Sequence, residues 1–125
     1  MNEGTRHWVV RLTAAAEGDF QDILRWTVAN FGAAQARTYA ETLSAAIEAL
    51  AAGPTIPGAT QRQDIAEGLV TLHVARKGKK GRSLGRHLVL FRVGLGQKQQ
   101  AIEVLRILHD AMDLQRHLPL DDERT

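Results

Sequence analysis

RHLVLFRVGLGQKQQAIEVLRILHDAM, residues 86–112, is the stretch whose reading decides the fold. Two runs rich in Val, Ile, Leu and Phe, residues 87–93 and 101–108, flank a short polar connection containing glycine, which predicts an antiparallel hairpin. Apart from one arginine each, Arg92 and Arg106, both runs are apolar on both faces. An edge strand with one wet face would alternate more cleanly. The hairpin is therefore expected at the centre of a sheet, where a charge needs a reason.

Working outward from the hairpin, residues 69–76 (LVTLHVAR) form a strand by composition, with Gly68 suited to the turn before it. Between this strand and the hairpin, residues 77–85 (KGKKGRSLG) carry a run of cations and glycines, expected as a mobile hairpin loop. They do not make a phosphate-cradling Walker A loop, because no Gly-Lys-Ser/Thr closes the spacing and no helix follows. No aromatic is interleaved, which argues against base stacking. A solvated loop and a contact for a nucleic acid or acidic protein both remain open readings.

At the other end, residues 7–12 (HWVVRL) are short and β-rich, and Thr13 sits where an N-cap belongs ahead of AAAEGDFQDILRWTVANFG. In that helix Ala16, Phe20, Ile23, Leu24, Thr27 and Phe31 share one face, and Gly32 closes it. Trp26 lies about 100° off this stripe, on the flank, where it either covers the edge of its own core or meets a partner. A second helix over residues 33–52 carries the stripe Ala36, Tyr39, Ala40, Leu43, Ile47 and Leu50. The connection at Gly32 is so short that the two form a helical hairpin. Gly53-Pro54 stops the second helix, and residues 53–68 read as a surface connection with one short extended piece at 63–65.

The whole is expected to be one α+β domain: an N-terminal strand, then an α-helical hairpin packed on a mainly antiparallel sheet of about four strands. Its 125 residues, 44% of them hydrophobic, suffice for a single core over about 6–119, with 120–125 a frayed tail. There are no cysteines, so disulfides, zinc-thiolate sites and thiol catalysis are excluded. No apolar run reaches membrane-spanning length and MNEGTRHW lacks a signal-peptide pattern, which makes the cytoplasm the expected compartment and a membrane partner unexpected. Net charge is +2, with cations concentrated between residues 76 and 86.

Two chemical constellations are weak. His109, Asp113 and His117 would stack at i, i+4 and i+8 in a helix, a spacing used by metal sites, but there is no HExxH and the helix is barely long enough, so no metal is expected. Ser44 and Ser83 sit in no nucleophile-elbow sequence, so hydrolase chemistry lacks support. By contrast Arg76, Arg86, Arg92 and Arg106 fall on or beside adjoining strands and can gather on one sheet face with His109 near a strand end. Such a set can bind phosphates and shuttle a proton, as in a ribonuclease. It can equally form salt bridges with Glu103, Asp110 and Asp113.

In this order the segments LTAAAEGDFQDILRWTVANFG, AQARTYAETLSAAIEALAAGP, GLVTLHV, RHLVLFRV and above all IEVLRILHDAMDLQRHL resemble the ParE/RelE superfamily of type II toxin-antitoxin toxins, over about residues 6–119. The ending resembles the ParE branch. That resemblance implies a growth-arresting toxin that inhibits DNA gyrase by binding, without catalysis or cofactor. It implies neutralisation by a cognate ParD-like ribbon-helix-helix antitoxin, through which operator DNA is bound indirectly. Target contacts would involve Arg76, Lys77, Arg86, Arg92, Arg106 and His109, and Trp26 would contact the antitoxin. The alternative is a RelE-like endoribonuclease cutting messenger RNA on the ribosome. The only tyrosine, Tyr39, lies in a core stripe, so His109 with Arg92 and Arg106 would have to carry that chemistry. A third reading is a non-toxic, antitoxin-binding module acting in operon autoregulation.

Overall fold

The computed structural model describes residues 8–77, 83–94 and 100–109. The chain runs β1 (Val9–Leu12), α1 (Ala14–Phe31), α2 (Ala33–Ala49) with a closing 3-10 turn (Leu50–Ala52), then β2 (Ala59–Gln61), β3 (Val70–Lys77), β4 (Ser83–Val93) and β5 (Ala101–His109). The strands form a mixed five-stranded sheet in the order β1-β5-β4-β3-β2. As expected, the β4–β5 hairpin lies in the interior of the sheet and is antiparallel. The N-terminal strand joins it in parallel, with Val9 opposite Ala101 and Leu12 opposite Val104.

The apolar character of both strand faces has a direct cause. On one face Val70, Leu72, Val74, Val89, Phe91, Ile102, Val104 and Ile107 pack against Ala16, Ile23, Tyr39, Leu43, Ile47 and Leu50 of the helical layer. On the other, Leu69, Leu90, Leu105 and Leu108 form a second cluster, joined by Leu88 and by Ile65 and Ala66 from the segment before β3. A β-bulge in β5 sets this arrangement: Leu90 pairs with Arg106 but Phe91 pairs with Val104, so Leu105 is the extra residue.

The helical hairpin turns at Gly32, whose φ of +92° is in the region glycine favours; its N–H donates to the Val28 carbonyl and its carbonyl accepts from Ala36. Thr13 caps α1 as expected, its Oγ1 accepting from the Ala16 N–H at 3.1 Å. That same hydroxyl donates to the Leu105 carbonyl at 2.9 Å, and the Thr13 N–H donates to the Val104 carbonyl at 3.0 Å. One residue thus ends β1, starts α1 and extends the β1–β5 ladder. At Gly53, φ is +119° and an added Cβ would stand 3.1 Å from the Trp8 indole nitrogen, so the turn out of the helical layer needs glycine twice over.

Four expectations need correction. The sheet has five strands rather than about four, because a short strand lies at Ala59–Gln61 and pairs with β3; the expected extended piece at 63–65 is instead a turn, with the Arg62 carbonyl accepting from Ile65 and Ala66. The hairpin connection expected over 77–85 is shorter, since Lys77 pairs with Ser83 and Arg76 with Gly85, leaving only 78–82 outside the described residues. Phe31, assigned to the buried stripe of α1, is exposed: at the last residue of the helix it lies past the packed turns and stacks edge-on against Trp26, ring centres 5.8 Å apart. The final turn, the tail, and the residues Asp110, Asp113 and His117 lie outside the described residues.

Thr13→Ala removes both a helix cap and the hydroxyl's bond to the Leu105 carbonyl, while the backbone bond to Val104 remains. It should lower the unfolding free energy by about 2 kcal/mol, the upper end for a lost cap; urea melts check this, and a loss below about 0.5 kcal/mol would show that the hydroxyl holds neither end.

Candidate functional site

Strand alternation decides where each arginine goes. In β4, Val89 and Phe91 face the helices, so Arg86 and Arg92 belong to the opposite face. They are six residues apart, about 20 Å along a strand. Arg92 is joined across the sheet to Glu103, its register partner, with Nε donating to the carboxylate at 3.1 Å. Both side chains are about one-third exposed, so this is a surface pair of modest strength.

Arg106 is different. Its Nε donates to one Asp19 oxygen at 2.8 Å and its terminal nitrogen to the other at 2.9 Å, a two-pronged pair that ties β5 to α1. The Asp19 carboxylate also accepts from the Ile107 backbone N–H at 2.9 Å. Its side chain is 13% exposed and that of Arg106 23%. The hydrogen bonds to Asp19 raise the Arg106 pKa above its ordinary value, outweighing the desolvation that lowers it. Arg106 is therefore committed to holding the fold: it stands opposite Leu90 of the outer face and reaches past the edge of β5 to Asp19. The salt-bridge reading holds in part: Glu103 is used as foreseen, and Asp19 is the partner that sequence reasoning missed. No helical or strand period singles out a carboxylate two turns into an amphipathic helix as a strand partner.

A second grouping was also missed. Tyr39, 2% exposed, places its hydroxyl 2.8 Å from Nδ1 of His87. His87 stands directly opposite His109 in the β4–β5 register, and the two rings meet edge-on with centres 5.6 Å apart. His87 is half-buried and His109 exposed. Tyr39 is in the core stripe as expected, but its polar tip reaches the sheet. The signal was present in the hairpin itself, since pairing 87–93 with 101–108 puts the two histidines together at the open end.

Arg76 and Lys77 fall in the last part of β3, opposite Gly85 and Ser83. The expected target contacts are thus divided: Arg86 and Arg92 on the outer face, Arg106 bound to α1, and His109 beside His87 at a strand end. Trp26 lies on α1, 57% exposed, and with Phe31 and Val28 it makes an apolar patch near the tip of the helical hairpin. Among the described residues no group of three or more His, Cys, Asp or Glu side chains is placed to hold a metal, and no described helix is long and apolar enough to cross a membrane.

This architecture has relatives. The family model described as "ParE toxin of type II toxin-antitoxin system, parDE" matches residues 10–114. Toxin ParE1 of Caulobacter vibrioides is 30% identical over 108 residues, covering 86% of this chain and 95% of the relative. Toxin ParE1 of Mycobacterium tuberculosis is 31% identical over 107 residues, covering 86% and 94%. A solved structure titled "Chromosomal ParDE TA system from P. aeruginosa" superposes with a TM-score of 0.60 at 20% identity, covering 84% of this chain and 98% of the other, and so shares the fold. The chain belongs to the ParE toxin family of type II toxin-antitoxin systems.

The two arginine pairs should separate cleanly in stability measurements. Asp19→Ala leaves the Arg106 guanidinium and the Ile107 N–H without this carboxylate and should cost about 3 kcal/mol, whereas Arg92→Ala should cost less than about 1 kcal/mol. Equal losses in guanidinium melts would refute the distinction.

Proposed function

We propose that this chain inhibits DNA gyrase by binding it, without catalysing a reaction, and is neutralised by a ParD-like ribbon-helix-helix antitoxin that also carries the complex to operator DNA. The observation that carries the non-catalytic reading is the engagement of Arg92 and Arg106. A cleaving site would set these two arginines free beside His109, yet one is paired with Glu103 across the strands and the other with Asp19 of α1. Transition-state stabilisation of a phosphate requires donors converging on one point, and this pair does not converge. Ribosome-dependent RNA cleavage is correspondingly less supported.

On this reading the gyrase contact lies on the outer face and its margins, with Arg86 and Arg92 as its described cations, Arg76 and Lys77 on neighbouring β3 and His109 at the strand end. Arg106 acts on that surface only by fixing β5. The antitoxin meets the opposite side of the molecule, at the patch made by Trp26 and Phe31. An exposed tryptophan braced by a second aromatic is the kind of residue that anchors interfaces. Cytoplasmic action follows from the target.

Titrating antitoxin-free protein into a gyrase supercoiling reaction should inhibit it, with activity restored by the antitoxin; uninhibited gyrase with protein that is folded and arrests growth would overturn the reading in favour of the ribosome. Trp26→Ala should weaken antitoxin binding by about 1 kcal/mol or more in calorimetry. Unchanged affinity would remove Trp26 from that interface.

A further inference from the structure

The sheet order leaves β1 at an edge, and its outward side carries donors and acceptors that the proposed function does not use. In a parallel pair, alternate residues of a strand bond the neighbour. The Val9 N–H donates to the Gln100 carbonyl and the Thr13 N–H to the Val104 carbonyl, so Val9, Arg11 and Thr13 turn their backbone groups to β5. Val10 and Leu12 turn theirs the other way, and among the described residues no turn, loop or second strand bonds them there. Trp8 is already taken, its N–H donating to the Ala51 carbonyl at 2.8 Å. The open edge is thus short, residues 10–12.

Its two sides differ in chemistry. Arg11 stands on the outer side, exposed, opposite Glu103. That carboxylate accepts from Arg92, and no hydrogen bond or ion pair joins the Arg11 side chain to another described residue. On the inner side, where Leu12 packs, an open cleft of about 440 Å³ is lined by Leu12, Ala14, Glu17, Gly18, Phe20 and Gln21. A Cβ on Gly18 would meet nothing within 4 Å, so the cleft has room for an apolar side chain.

We propose that the free edge of β1 takes up an extended segment of a partner protein as an added antiparallel strand, with an acidic residue opposite Arg11 between two apolar ones. Hydrogen-bonded pairs form at Val10 and Leu12, which puts the residue between them on the outer side with Arg11 and its two neighbours on the inner side. The neighbour opposite Leu12 fills the cleft, where Glu17 disfavours a second acid. A second copy of this chain is a poor occupant. Only one register uses both Val10 and Leu12 of each copy, and it sets Arg11 opposite Arg11, like charges across a pair. The inference does not depend on the gyrase reading.

The blocked peptide Thr-Val-Asp-Leu-Thr, titrated into the 15N-labelled full chain, should shift the amide resonances of Val10 and Leu12 saturably. It should bind about fivefold more tightly than its counterpart with lysine in place of aspartate, and Arg11→Glu should reverse that order. Gly18→Leu, which suits an exposed helix position better than glycine, should weaken binding about tenfold by occupying the cleft. Absence of saturable shifts at Val10 and Leu12 would overturn the proposal, as would equal affinity for the two peptides or an order unchanged in Arg11→Glu. Unchanged affinity in Gly18→Leu would remove the cleft from the site. Before peptide is added, the Val10 and Leu12 amides should exchange readily with solvent. Protection that grows with protein concentration would give the edge to a second copy, and protection independent of concentration would give it to this chain's own residues; either result overturns the partner segment.

Discussion

The Asp19 carboxylate, with its three hydrogen bonds from Arg106 and Ile107, is the contact on which the arrangement of the two layers depends. β1 pairs with β5 only as far as Val104, while β5 continues to His109. A strand edge left at that point would have buried backbone groups without partners, each costing on the order of 1–3 kcal/mol. The chain solves this with side chains of the helix that follows β1. Thr13 takes the Leu105 carbonyl and Asp19 takes the Ile107 N–H, so the ladder continues although the strand has ended. The direction of α1 across the sheet is fixed by the same bonds, and with it the position of Trp26 at the far end of the helix.

That constraint also explains the bulge. With Leu105 as the extra residue, Leu105 and Arg106 both stand on the outer side, while Val104 and Ile107 on either side of them face the helices. A regular strand would give these neighbours strictly alternating faces throughout and would lose the match to both layers. The consequence for function is a division of labour among cations that look equivalent in the sequence. Arg106 holds the scaffold, Arg92 sits in a solvent-screened pair on the outer face, and Arg86 is exposed on the same face.

Much of the fold was legible because it rests on periodicity. The hairpin of β4 and β5 announces its interior position by being apolar on both faces, and the α2 stripe of Ala36, Tyr39, Leu43 and Ile47 is buried as its spacing requires. The short strand β2 is hidden in the sequence because ATQ, three residues on an edge, carries no detectable period, while Ile65 resembles a strand residue but is held in a turn under the second cluster. Phe31 was misplaced because helical spacing cannot tell where the partner layer stops. The candidate site was legible only as a set of residue types. The pairing of Arg106 spans 87 positions in the chain, and no local rule selects Asp19 over the other acids of α1. His87 carries no signal in spacing along one element; its pairing with His109 appears only when the hairpin register is drawn across two strands.

The most direct test of this account is a double-mutant cycle between Asp19 and Arg106, using Asp19→Asn and Arg106→Gln with unfolding free energies from denaturant titration. A shared, largely buried pair predicts a coupling of about 1.5–3 kcal/mol, with the double variant less destabilised than the sum of the singles. Additive losses would contradict it, because Arg106 would then be independent of α1 and available to the target surface with Arg86 and Arg92.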